Sequence, residues 1–152
     1  MSSKNIYSLP IKKKDFSFAI SDKRAHYGCL KHAVDFPLKE GTKILAAADG
    51  VVIDVVDNFD EGGDDPKYAD NLNYITLEHP HEEVSQCSHL KYKGSLVKIG
   101  DKVKKGDVIG FSGNTGYSTE PHLHFMVTIG PDADWKTIKP TFDEEFKIER
   151  YG

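Results

Sequence analysis

The stretch "GDKVKKGDVIGFSG", residues 100–113, constrains this chain more than any other. Gly100-Asp101 and Gly106-Asp107 break it into short apolar runs, too short for ordinary helices and suited to strands joined by tight turns. No window of the 152-residue sequence holds an amphipathic helical period for more than about two turns. The expectation is an all-β fold of antiparallel sheets.

Other segments extend the pattern. In "TKILAAADGVVIDVVD" (42–57) apolar runs flank Asp49-Gly50, a pair favoured in two-residue hairpin turns, and a hairpin is expected there. "NYITLEH" (73–79) alternates as a strand, with Ile75 and Leu77 on one face. Residues 1–21 read as a leading arm and 22–130 as the body of the domain. Residues 131–152, with Trp135 and Pro140, read as a tail packing on or trailing from it. The segment "DNFDEGGDDPKYADN" carries Asp57, Asp60, Glu61, Asp64, Asp65 and Asp70 but lacks the Asp/Asn ladder closed by Glu of a calcium loop. A solvated surface loop is expected.

Composition narrows the function classes. With 38% hydrophobic residues the chain suits one domain with a real core. A net charge of -4 gives no electrostatic case for nucleic acid or an anionic membrane, and Lys12, Lys13 and Lys14 form the only basic run. No apolar stretch approaches the ~20 residues of a membrane span, and residues 1–20 lack the apolar run of a signal peptide. The chain reads as soluble, with no export address visible. Cys29 and Cys87 cannot form a disulfide framework and are expected as free, buried thiols.

Seven histidines are present, and their placement carries the chemistry. In "PHLHF", His122 and His124 stand two apart, so on a strand both project from one face while Leu123, Phe125 and Val127 enter the core. Alone, such a pair is most often two surface histidines. Upstream, His26 and His32 precede Asp35, and imidazole plus carboxylate is a common zinc ligand set. A catalytic zinc takes three protein ligands, so further histidines have another use, as proton acceptors beside a water whose pKa falls to roughly 7. "HPHEEVS" begins like the helical His-Glu-x-x-His motif, but Ser85 stands at the second histidine position and Pro80 opposes a helix. His79 and His81 are expected exposed, at a strand end or turn.

Together, "HYG…VDFPLKEGTKILAAADGVV", "CSHL" and "GDKVKKGDVIGFSGNTGYSTEPHLHF" resemble the LytM/lysostaphin-type zinc metallopeptidases, family M23. The resemblance runs from about His26 to Val127 and implies antiparallel sheets forming an open groove. It implies zinc ligands at a histidine upstream of Asp35, at Asp35 and at His124, with His89 and His122 as catalytic histidines. The family's first block is His-x-Gly-x-Asp; here Lys31 stands four before Asp35 and "CLKHA" interrupts the block, so His26 is the expected ligand and His32 the reserve. The implied activity is a zinc-dependent endopeptidase cutting a stem peptide or cross-bridge of bacterial peptidoglycan. The implied location is extracellular or periplasmic.

Two other classes compete. A domain of this fold can lose catalysis and act as a binding or regulatory module, for which the irregular first block argues. "GDKVKKGDVIG" also resembles turns of biotinyl/lipoyl carriers and sugar-phosphotransferase domains, although no exposed carrier lysine stands between small or Met residues at a hairpin tip.

Overall fold

The computed structural model describes residues 1–22, 30–130 and 136–151. Its regular structure is nearly all strand, with helical turns among the described residues confined to short 3-10 segments such as Lys13–Asp15 and Pro66–Tyr68. The first strands are β1 (Ser2–Tyr7), β2 (Ala19–Asp22), β3 (Val34–Pro37), β4 (Lys43–Leu45), β5 (Gly50–Val56), β6 (Gly62–Gly63) and β7 (Tyr74–Glu78). There follow β8 (Glu83–Ser88), β9 (Leu90–Ser95), β10 (Lys102–Val103), β11 (Val108–Ser112), β12 (Gly116–Tyr117), β13 (His122–Ile129), β14 (Thr137–Phe142) and β15 (Ile148–Tyr151).

Strands β10-β5-β7-β8-β13-β3-β2-β15 form the large sheet, and β14 joins the far end of β13. A smaller sheet, β4-β11-β9, covers one face. Period-two alternation sorts β13: Leu123, Phe125 and Val127 are fully buried beneath the sheet, and the two histidines lie on the other side. Ile75 and Leu77 of β7 enter the same core, as their alternation requires.

The Asp49-Gly50 expectation fails. β4 pairs with β11 and β5 with β7 and β10, so the two flanking runs belong to different sheets and form no hairpin. The Asp49 carboxylate accepts the Lys105 N–H at 2.8 Å, which anchors the corner to a distant turn. A Cβ on Gly50 would lie 2.5 Å from the Glu78 carbonyl oxygen, so glycine is needed here for close approach of strands rather than for a turn.

The terminal segments are woven into the sheet. β1 pairs parallel with β14, and β15 pairs parallel with β2, giving parallel edges to an otherwise antiparallel array. Phe16, Phe36, Phe146, Phe142 and Phe125 follow one another at ring separations of 5.1, 5.8, 5.2 and 5.9 Å. This aromatic run joins both ends of the chain to the underside of the histidine strand, where burying each large side chain is worth about 1.5–3 kcal/mol.

His79 is also not where its position suggested. It is only 5% exposed, packed edge-on against Tyr7 at 5.4 Å, with Nδ1 2.7 Å from the Asp49 carbonyl and Nε2 2.7 Å from Ser85 Oγ. The N-terminal strand covers it, and a strand 72 positions away in sequence is invisible to local pattern. His81 is exposed at a turn, as expected, with φ of 65°. Glu83, 1% exposed, receives the Lys4 and Asn5 N–H groups at 2.6 and 3.2 Å and the Tyr7 hydroxyl at 3.0 Å, fastening β1 to β8. Cys87 is a buried free thiol, with burial pushing its pKa up to about 12; Cys29 lies outside the described residues.

Candidate active site

The site forms where three strands of the large sheet meet. Register sets His124 of β13 beside Asp35 of β3 on one side and Ser88 of β8 on the other. His124 Nδ1 stands 3.0 Å from Asp35 Oδ1, and His122 Nε2 stands 3.8 Å from the same oxygen. His89 follows the last residue of β8, with its ring 4.5 Å from that of His122 and 6.1 Å from that of His124. Residues distant in sequence, Asp35, His89, His122 and His124, thus share one small volume.

His89 reaches it through an unusual backbone. Its φ is 67°, the left-handed region that costs a non-glycine residue roughly 1 kcal/mol. This residue carries the chain from β8 in the large sheet to β9 in the small one and turns the imidazole toward β13. Opposite it lies "GNTG". The Thr115 carbonyl oxygen is 2.6 Å from His89 Nδ1, and Gly116 has φ of 82°, where a Cβ would stand 2.8 Å from Leu72 Cδ1 and 3.4 Å from that nitrogen.

Hydrogen bonding fixes the tautomers. A carbonyl oxygen can only accept, so His89 Nδ1 carries the hydrogen and Nε2 keeps its lone pair. His122 behaves alike: its Nδ1 lies 2.8 Å from the Glu120 carbonyl and 3.1 Å from Ser118 Oγ, whose hydroxyl donates to the same carbonyl at 2.8 Å. Two imidazoles, each with Nδ1 turned to a backbone carbonyl, therefore stand beside the Asp35–His124 pair. Burial first, then the neighbouring His122 ring, pushes the His89 pKa down to about 3 against the partial support of the Thr115 carbonyl. His89 is held as a neutral base at ordinary pH.

The donor chemistry suits a zinc ion. Two ligand atoms about 2.0–2.1 Å from a tetrahedral centre stand roughly 3.3 Å apart, close to the 3.0 Å separating Asp35 Oδ1 from His124 Nδ1. Among the described residues no group of three or more His, Cys, Asp or Glu side chains completes such a centre. His26 lies outside the described residues. His32 sits in the turn before β3, its backbone N–H bonded to Thr137 Oγ1 at 3.0 Å, and lines a separate cavity with Lys31, Lys139 and Phe146. Burial, then Lys31, the chain's amino terminus and Lys139, hold its pKa below the usual range.

The acidic loop is exposed as expected, yet it also borders the site. Gly62–Gly63 pairs with β12, and the Gly116 and Ser118 N–H groups bond to the Glu61 and Gly63 carbonyls at 3.3 and 3.0 Å. Ser118 and Thr115, which contact His122 and His89, were not singled out by the sequence. Their neighbourhood to "PHLHF" was the available signal.

An open β-sheet face here brings together three clustered histidines and an aspartate. The description of peptidase family M23 matches residues 30–139, and the chain belongs to that family. It is 46% identical over 94 residues to an uncharacterized metalloprotease of Buchnera aphidicola, covering 62% of this chain and 22% of that protein. It is 35% identical over 98 residues to the peptidoglycan DD-endopeptidase ShyA of Vibrio cholerae, covering 64% of this chain and 20% of that one. A zinc-containing peptidase from Vibrio cholerae of known structure superposes with a TM-score of 0.59 at 28% identity, over 81% of this chain and 36% of that one. The chain thus spans only about a fifth of the length of these curated relatives.

Proposed function

We propose that the protein is a zinc-dependent endopeptidase that hydrolyses peptide bonds of bacterial peptidoglycan. The observation that carries this reading is the convergence of two tautomer-fixed imidazoles, His89 and His122, on the Asp35–His124 pair. The peptidoglycan class rests on likeness to relatives such as ShyA, and the metal on likeness to the zinc-containing peptidase together with the Asp35–His124 donors. An enzyme with a wall substrate would act outside the cytoplasmic membrane, extracellular or periplasmic. Among the described residues no helix is long and apolar enough to cross a membrane.

In the mechanism, Asp35 and His124 would hold a zinc ion, with His26 as the proposed third ligand. A zinc ion there would supply Lewis-acid chemistry, lowering the pKa of a water and polarising a carbonyl. An extended substrate lies along the sheet with its scissile carbonyl at the four side chains. As water attacks the carbonyl carbon, the Nε2 of His89 or His122 takes its proton, and the Nε2–H so formed hydrogen-bonds the oxygen that gains charge. The proton then passes to the leaving amine as the carbon–nitrogen bond breaks. Both Nδ1–H groups stay bound to carbonyls throughout, so the rings keep their orientation.

The test combines elemental analysis of the purified protein with hydrolysis of purified peptidoglycan. One zinc per chain and a chelator-sensitive release of new amino termini are expected. Zinc without hydrolysis of any wall type would make the chain a binding module instead.

A further inference from the structure

The histidine face of the sheet continues beyond the catalytic residues into a second depression. On β13, Met126 and Thr128 follow His124 at two-residue steps and share its face. Register sets Gln86 beside Met126, Thr76 beside Gln86 and Asp54 beside Thr76. With Ile53, Tyr74, Val84 and Gly130 these residues line an open groove of about 290 Å³. Gln86 links the two regions, accepting from the Ser88 hydroxyl at 3.1 Å and donating to Thr76 Oγ1 at 3.1 Å.

Asp54 reaches this groove through a β-bulge. β5 and β7 pair in step from Val51↔Glu78 to Val52↔Leu77, and then resume at Asp54↔Thr76, leaving Ile53 as the extra residue. Val52 faces the core, so strict alternation would turn Asp54 into the core as well. The bulge shifts the parity, sets both Ile53 and Asp54 in the groove wall and returns Val55 to the core side. Asp54 is the only charged residue among those lining the groove. Its Oδ2 accepts the Tyr74 hydroxyl at 3.1 Å, and among the described residues no Lys, Arg or His forms a salt bridge with it.

The geometry points to a subsite in which Asp54 binds a primary ammonium of the peptide substrate, with Gln86 and Thr76 lining its path. The inference rests on the peptidoglycan endopeptidase reading and adds a specificity determinant to it. From β13 to β5 is three interstrand steps, about 14 Å, so the ammonium sits about four extended residues from the scissile bond. A partly shielded carboxylate meeting a cation gives a charge-assisted hydrogen bond, stronger than a neutral one.

The test uses uncross-linked peptidoglycan fragments solubilised by a muramidase, native or with their primary amines acetylated. Binding of both is measured by calorimetry, and hydrolysis of intact, cross-linked peptidoglycan is followed in parallel by chromatography. The native protein is expected to bind amine-bearing fragments about tenfold more tightly than acetylated ones, the size of one charged hydrogen bond. Asp54→Asn should bring that ratio near one, and Tyr74→Phe, which removes the internal hydrogen bond but not the charge, should preserve it. Each ratio is internal to one protein, so partial loss of folded material cancels. Equal binding of both fragments, or a ratio unchanged by Asp54→Asn, overturns the subsite. A sound binding ratio without any hydrolysis of intact, cross-linked peptidoglycan overturns the endopeptidase reading alone.

Discussion

Asp35 and His124 face each other across the β3–β13 register, Oδ1 to Nδ1 at 3.0 Å, although 89 positions separate them in sequence. His122 approaches the same Oδ1 only to 3.8 Å, and it presents Nε2 while its Nδ1 is bound to Glu120. The two histidines of "PHLHF" therefore stand in different relations to one carboxylate.

That difference predicts a split between metal binding and turnover. Asp35→Ala or His124→Ala should leave the purified protein with little zinc. His122→Ala should retain near-stoichiometric zinc and lose at least about a hundredfold in peptidoglycan hydrolysis, the usual contribution of a positioned acid–base group. Elemental analysis beside a turnover assay checks both; loss of zinc from the His122 variant would contradict the assignment.

A second prediction concerns the remaining ligand. His32 lines a cavity with Lys31 and Lys139, positive neighbours that a zinc ligand does not favour, and its backbone is tied to Thr137. His26→Ala should abolish zinc binding and His32→Ala largely spare it. The reverse pattern would make His32 the ligand.

Acid should weaken the fold in two steps. Burial lowers the His79 pKa against the pull of the Asp49 carbonyl, so the folded chain binds this proton less readily than the unfolded one, with its pKa near 6.5. For Glu83, burial works upward but is outweighed by the Lys4, Asn5 and Tyr7 hydrogen bonds, and the net pKa is lowered. In both windows the unfolded state binds more protons, so stability is complete above about pH 7 and falls first below about pH 6.5, then below about pH 4.3. Glu83→Gln should cost about 2 kcal/mol at pH 7, a Tm lower by about 4–8 °C, and the gap should narrow on acidification. Thermal melts from pH 8 to pH 4 check this; a gap that widens in acid would contradict the linkage.

What could be read from the sequence was what repeats locally. Alternation placed Ile75, Leu77, Leu123, Phe125 and Val127 in the core, because each strand buries one face whatever its neighbours. Gly100 and Gly106, both at positive φ, mark turns because few other residues adopt that backbone without strain. Pairing partners were illegible: Asp49-Gly50 carries the composition of a hairpin, yet β4 and β5 separate into two sheets through contacts with Lys105 and Glu78. His79 is buried by a strand from the far N-terminus, and the bulge at Ile53 that turns Asp54 outward exists only through its register with β7. In the site, the residue types were legible, but the carbonyls of Thr115 and Glu120 that fix two tautomers were not, since a backbone acceptor leaves no mark in sequence.

Those carbonyls lead to a final prediction, at Gly116. Its φ of 82° is costly for any side chain, about 1–2 kcal/mol, and a Cβ there would stand 2.8 Å from Leu72 Cδ1 and 3.4 Å from His89 Nδ1. Leu72 can swing its terminal methyl aside, but the backbone around Thr115 must then shift, and the 2.6 Å contact that fixes the His89 tautomer shifts with it. Gly116→Ala should lower Tm by about 2–8 °C. Zinc content should stay near that of the native protein, because Asp35 and His124 lie on strands the substitution does not touch. Hydrolysis of peptidoglycan, measured where both proteins are fully folded, should fall about tenfold through misorientation of one acid–base group. Full activity in a folded, zinc-loaded Gly116→Ala protein would show that His89 does not depend on the Thr115 carbonyl for its orientation.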